Sequence, residues 1–391
     1  MKSFALISAL ACLAVASPLT AFVSDQQPLV SDARPQSHPG FDLDLSELRL
    51  VQLGEDEEPV WMTELDKVTS FDYSIPCSSN CSQINLKAEG VNFFDITDTQ
   101  SLGSTAHLRA SLSPTFPSPS ASALVNPVLK KLSTDGPKKN LETLTNFRTR
   151  HYRSDITSQN APESLQDLIS ISEFSHSWGQ NTIIARINGS SATDDRTVII
   201  GAHQDSTNMW PFLPAPGADD DGSGTVTILE SYRALISSNF RPVRPVEFHW
   251  YSAEEGGLLG SREVAREYEG RSANVYAMSQ FDMTAWVKQG TKEEVGIIMD
   301  YTDSALTEFN KKLVKAYLDI PYVETKCGAS WGKAGYPSVF TIESTFENSN
   351  QLIHTARDRS DVSPEFSFEH MLEFSKLAVA FAIELGGWNK Q

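Results

Sequence analysis

The chain predicts an α/β fold, and three observations carry that expectation. Beyond residue 121, short β-branched runs alternate with longer stretches of helical period. Polar clusters fall directly after several of those runs. A Pro/Ser-rich stretch separates this half from a polar, acidic N-terminal part. A length of 391 residues with 40% hydrophobic content suffices for one large domain and an accessory segment.

Taken in order, the chain opens with Lys2, an apolar run from Phe4 to Val15, and Ala14-Val15-Ala16 before Ser17. These are the three regions of a secretory signal peptide, so residues 1–16 are expected to be removed and the protein to be secreted. The run is too short for a membrane span, and the later stretch Leu377 to Leu385 is shorter and holds Glu384, so no transmembrane segment is expected. Residues 17–120 include Glu55-Asp56-Glu57-Glu58 and show little sustained periodicity up to about residue 110; nothing in them looks catalytic. Ser111 to Ser122 reads as an exposed linker, because Pro and Ser resist regular structure and offer a protease extended backbone. In a secreted chain that marks a pro-segment boundary, with an ordinary interdomain linker as the alternative.

The domain 121–391 then begins. Thr182 to Ile187 and Thr197 to Ile200 are β-branched strands, and 223–237 is a helix opened by Ser223. A strand with Val246, Phe248 and Trp250, a helix near 258–268 and a strand near 275–281 follow. Further strands are expected near 294–299 and 338–342, with helices at 304–318 and 366–385.

A net charge of −18 argues against nucleic acid or an anionic membrane as partner, since both are repelled. Of four cysteines Cys12 leaves with the signal, so one of Cys77, Cys81 and Cys327 stays unpaired; Cys77 and Cys81 are equally compatible with a local bridge and with two thiols. Asn80-Cys81-Ser82 and Asn188-Gly189-Ser190 are sequons that accept glycans if exposed, which would make the chain a glycoprotein.

The chemistry lies in Gly201 to Ser206, with His203 two residues before Asp205, and in Pro216 to Gly224, which contains Asp219-Asp220-Asp221. Alone, a His-x-Asp is commonly a hydrogen-bonded pair, an Asp run a solvated turn, and paired Glu an exposed helix face. Here Glu254 and Glu255 come straight after an apolar strand and before Gly256-Gly257, hence on a tight strand-to-helix turn. His203 follows one strand and Asp282 ends another; ligands of open α/β sheets bind beyond the carboxyl ends of strands, so these residues can converge.

With Gln280-Phe281-Asp282-Met283 and Ile353-His354-Thr355 added, the chain from about Asn140 to Lys390 resembles the M28 family of co-catalytic zinc aminopeptidases, of the secreted fungal leucine-aminopeptidase type. The resemblance implies a single catalytic domain with a mixed central sheet flanked by helices, and a removable pro-segment that keeps the enzyme latent or assists folding. It implies two Zn2+ per chain: Asp220 bridges them, His203 and Asp282 complete one site, Glu255 and His354 the other. Asp205 then supports the second ring nitrogen of His203, while Asp219 and Asp221 shape the bridging turn or are merely solvated. Glu254 is the expected general base for a zinc-activated water. Met283, Ile342 and Phe346 fall where the family builds an apolar pocket for Leu-like N-terminal residues of peptides, with core packing the alternative for Met283. A monomer is expected.

Competing assignments are weaker. Gly328-Ala329-Ser330-Trp331-Gly332 matches the serine-hydrolase elbow formally, but Pro337 leaves no room for the required helix. The Asp219 to Gly222 run fails as a calcium loop, whose first and twelfth positions would be Gly217 and Ile228. The related glutaminyl cyclases use one zinc for a transfer reaction, and metal count separates the two. A weakly active or non-catalytic homologue is the remaining alternative. It draws on departures from the family pattern: a shortened loop after Cys327 that lacks a second Cys and a Tyr, a short segment between Ser164 and Ser175, and an extra stretch from Phe71 to Asn85.

Overall fold

The computed structural model describes residues 44, 46–53, 58–69, 93–110, 115–153, 168–210, 212–326 and 334–389. The signal peptide, Cys77, Cys81, the Asn80 sequon, the whole Phe71 to Asn85 stretch and the Cys327 to Gly332 segment lie outside the described residues.

The N-terminal segment, in which the sequence offered no sustained periodicity, is folded over its described residues. Strands β1 (Leu48–Gln52), β2 (Val60–Thr63) and β3 (Phe94–Asp95) form an antiparallel sheet of order β2-β1-β3, accompanied by helices α1 (Glu64–Thr69) and α2 (Ala106–Ala110). Its interior hides from a hydrophobicity pattern, since Arg49, Lys67, Glu64 and Asp95 are buried in mutual pairing. Lys67 Nζ reaches Glu64 at 2.7 Å and Asp95 at 3.0 Å, and Arg49 Nε reaches Asp95 at 2.7 Å.

Two helices absent from the sequence expectation follow, α3 (Ser122–Leu129) and α4 (Asp135–Thr145). The large sheet is built from β4 (Ile169–Phe174), β5 (Thr182–Ile187), β6 (Thr197–His203), β7 (Val246–Tyr251), β8 (Val275–Phe281), β9 (Val295–Ile298), β10 (Tyr322–Thr325) and β11 (Ser338–Ile342). Its order is β10-β9-β11-β8-β6-β7-β5-β4. The centre is parallel (β11, β8, β6 and β7), whereas β5 pairs antiparallel with β7 and β9 antiparallel with β11. The sheet is mixed, as the resemblance implied. Two unexpected strands, β4 and β10, sit at its edges; they bury little and so carry a weak apolar signal.

Strand β6 is buried along its whole length, as a continuous apolar run in a parallel sheet must be. At Gly201 an added Cβ would meet the Tyr251 ring at 2.7 Å and Gln280 at 2.8 Å, so only glycine lets the neighbours close on β6. Helices α5 (Gly224–Ser237), α7 (Ser304–Tyr317) and α8 (Phe368–Gly386) join α3 in the main core on one face. Helix α6 (Leu259–Gly270) covers the other through Val264, Ala265 and Tyr268 against Ile184, Ile199 and Met278. Helix α8 is buried nearly all round, which explains its apolar run; no helix of the described residues is long and apolar enough to cross a membrane. Ser223 precedes α5 without a side-chain cap; its hydroxyl instead donates to the Asp219 carbonyl and accepts from Thr284 N–H. The described part of the predicted linker is anchored, with Phe116 against Tyr276 and Phe309, while Pro117 and Ser118 remain exposed.

Candidate active site

The parallel strands deliver the site from their carboxyl ends. His203 is the last residue of β6, Asp282 follows β8, and the turn after β7 carries Glu254 and Glu255. Asp219 to Asp221 form a tight turn before α5, and His354 comes from the segment between β11 and α8. Ala253 (φ 54°), Leu258 (φ 61°), Met283 (φ 50°) and His354 (φ 55°) all occupy left-handed backbone. Such conformations cost about 1–3 kcal/mol each and persist only where surrounding contacts over-determine them.

Those contacts are specific. Asp205 accepts the N–H groups of Glu254 (3.0 Å) and Glu255 (3.1 Å) on its two oxygens, and Oδ1 also lies 3.3 Å from His203 Nδ1. The sequence assigned Asp205 to the imidazole; the structure adds that it also holds the turn. Asp221 accepts from His203 N–H (3.0 Å), Gly224 N–H (2.8 Å) and Met283 N–H (3.1 Å). Asp219 Oδ1 accepts from Ala285 N–H at 3.1 Å. Both are buried rather than solvated. Two further residues went unnoticed in the sequence. Asp358 accepts the N–H groups of Asp219 and Asp220, each at 3.0 Å, and Arg150 donates to the carbonyls of Gln204 (2.9 Å), Gly217 (2.8 Å) and Pro216. Each lies in a loop among other charged residues, Asp358 between Arg357 and Arg359 and Arg150 between Arg148 and Arg153, with no periodic or motif signal.

At the centre Asp220 divides its oxygens, Oδ1 lying 3.1 Å from His203 Nε2 and Oδ2 2.9 Å from His354 Nε2. Glu255 Oε2 is 3.1 Å from His354 Nε2; Asp282 Oδ2 and Glu254 Oε2 lie 3.6 and 3.8 Å from His203 Nε2. Two ligand-sized groups result, Asp220 with Glu255 and His354, and His203 with Asp282 and Asp221. In the second group Asp220 is the better ligand, because both oxygens of Asp221 already accept backbone N–H groups. His203 Nε2 is buried and makes no hydrogen bond although three carboxylates face it. An imidazole nitrogen in that position, with a carboxylate behind its other nitrogen, is a donor set for a divalent cation, and nitrogen and carboxylate oxygen are ligands zinc accepts.

The electrostatics agree. Burial opposes charging His354, yet Glu255 and Asp220 push it up to about 10; His203 is raised likewise, chiefly by Asp282 and Glu254. Glu254 is pushed up to about 8 by burial, and then by Glu255, Asp282 and Asp220. Burial opposes it, yet Asp220, held between the two imidazoles, is instead shifted well below its ordinary range; with the imidazoles, Glu254 and Asp282 raised, a cation entering the cluster would displace protons from them. Met283 and Ile342, both buried, share an apolar cluster with Ile298 and Phe340, against which the partly buried Phe346 and Ile353 pack, an arrangement compatible with core packing as well as with a pocket.

A family profile described as Peptidase family M28 matches residues 182–378. Leucine aminopeptidase 1 of Phaeosphaeria nodorum is 46% identical over 77% of this chain and 83% of its own length. Leucine aminopeptidase 1 of Coccidioides posadasii is 41% identical over 98% of this chain and 99% of its own. The crystal structure of the Legionella pneumophila LapA aminopeptidase is similar with a TM-score of 0.69 at 26% identity, covering 88% of this chain and 95% of that one.

Proposed function

Since the chain belongs to peptidase family M28 and is a metallo-aminopeptidase, we propose that it is a secreted enzyme that removes apolar, Leu-like N-terminal residues from peptides, with two zinc ions and Glu254 as general base. The observation that carries this is Asp220, which splits its carboxylate between His203 and His354 at 3.1 and 2.9 Å and so is built to bridge. A carboxylate shared in this way would let one residue serve both ions of a two-metal site. In this reading His203 and Asp282 complete one site and Glu255 and His354 the other. When bound, the zinc pair supplies Lewis acidity at the scissile carbonyl and lowers the pKa of water.

The side chains do the rest. Glu255 is committed, with Oε1 accepting Thr207 N–H at 3.1 Å and Oε2 beside His354. Glu254 is 28% exposed at its side chain and points toward the same space without a ligand's contacts. It takes the proton of the attacking water as the C–O bond forms, then gives that proton to the leaving amine as the C–N bond breaks. Asp205, holding both glutamate N–H groups, fixes where that carboxylate stands. The cluster of Met283, Ile342 and Phe346 receives the N-terminal side chain and disfavours charged ones, whose burial unpaired is costly.

The test is release of leucine from a leucine anilide alongside assay for cyclisation of an N-terminal glutamine. Anilide hydrolysis that disappears with a strong chelator and returns with zinc supports the reading. Cyclisation without hydrolysis would instead favour a glutaminyl cyclase-like transferase.

A further inference from the structure

The N-terminal unit grips the element that carries Glu254 and Glu255. Asp95 N–H donates to the Gly257 carbonyl at 3.0 Å, and a Cβ on Gly257 would meet the Phe93 ring at 2.7 Å. Leu258 packs against Leu50, Phe94 and Ile96. Further along, Arg262 Nε donates to Thr99 Oγ1 at 3.0 Å and Arg266 to the Asp98 carbonyl. Leu102 enters the same core cluster as Val264, Ala265 and Tyr268. At the end of α6, Glu269 accepts from Gly103 N–H and Thr105 N–H, both at 2.8 Å, and pairs with Arg109 at 2.9 Å. Arg109 also donates to the Ala334 carbonyl at 2.9 Å. From the other side Tyr152 donates to Glu64 at 2.9 Å and Arg153 pairs with Glu47 at 2.9 Å.

We infer that the N-terminal unit is a non-covalent subunit of the catalytic domain, so that cutting the linker leaves it docked and its release needs a second event. The polar contacts across the seam match in number the roughly ten hydrogen bonds of a stable protein–protein interface. Alongside them lie separate apolar contacts, Leu102 with Val264, Ala265 and Tyr268, Leu258 with Phe94, and the Phe93 ring over Gly257, anchors of the kind that carry most of the binding at an interface. Separation would strip Glu64 of its Tyr152 partner and Glu269 of its partners in the N-terminal unit. The linker supplies none of these contacts.

The experiment places a specific protease site between the exposed residues Pro117 and Ser118 of the full chain, cuts it, and passes the product over a gel-filtration column at micromolar concentration. Both fragments are expected in one peak at the position of the uncut chain. The same cut in Arg109→Ala/Leu102→Asp is expected to remove the N-terminal fragment from that peak, with a matched melting profile of the uncut variant confirming that it folds. Should that variant misfold, Thr99→Ala/Glu269→Gln serves instead. Two separate peaks from the chain with native interface residues would overturn the inference, as would co-elution unaffected by any interface substitution. This readout needs no activity, so it stands apart from the assignment of Glu254 and the zinc ions.

Discussion

Glu254 and Glu255 are neighbours of identical chemistry, yet their surroundings give them different work. Glu255 is 2% exposed at its side chain and both its oxygens are engaged by Thr207 and His354, whereas Glu254 is 28% exposed and its nearest imidazole is 3.8 Å away. Glu254→Gln is therefore expected to keep the bound metal while turnover falls about 10²- to 10⁴-fold, the usual share of a general base; paired metal analysis and steady-state kinetics check it, and wild-type turnover would remove the assignment. Asp358 tests the support of the bridging turn. Asp358→Ala leaves the Asp219 and Asp220 N–H groups without their acceptor. That is expected to cost about 1–3 kcal/mol of stability and to weaken zinc binding about 10- to 100-fold, read by calorimetry and competitive chelation. The strand-end positions of His203, Glu254, Glu255 and Asp282 were legible in the sequence because apolar runs precede them, whereas the ligand set with Asp220 and His354 came only from the family resemblance. Asp358 and Arg150 were not legible, since they act on backbone groups that a sequence cannot place.

At the scale of elements, buried strands announced themselves and edge strands did not. β6 and β7 read clearly because both are buried along their length, β6 as a continuous apolar run and β7 through alternating Val246, Phe248 and Trp250, while β4 and β10 present mostly exposed or partly exposed residues. The N-terminal sheet was missed because its strands are short and the buried charge pairs around Asp95 interrupt the apolar contacts of Leu50, Val51, Phe93 and Phe94, leaving no sustained period. A similar polar core within β7 gives a pH prediction. Burial would raise the Glu247 carboxyl, but His249, Tyr268 and Arg186 together bring it from its ordinary 4.5 down to about 2. A depressed folded pKa contributes stability that is present above 4.5 and lost as pH falls through about 2. Glu247→Gln should thus lower the melting temperature at neutral pH and flatten the acid limb between pH 4.5 and 2 relative to wild type. An unchanged acid limb would show that Glu247 does not carry it.

At the scale of the whole molecule, the mixed sheet delivers the site residues at the carboxyl ends of β6, β7 and β8, and the N-terminal unit packs on the turn after β7 through Gly257 and Leu258. The strands are fixed by packing on both faces, and the site's strained residues hang from them through Asp205, Asp221 and Asp358. Every part of the proposed chemistry depends on Asp220 being shared by two cations rather than one. The decisive measurement is metal content of the purified, fully active chain by elemental analysis, titrated back from the metal-free protein with activity followed at each addition. Two zinc ions per chain, with the second completing both activity and the rise in melting temperature that native-state binding imposes, is the expected result. Full activity and stability at one zinc per chain would contradict the bridging role of Asp220 and the mechanism built upon it.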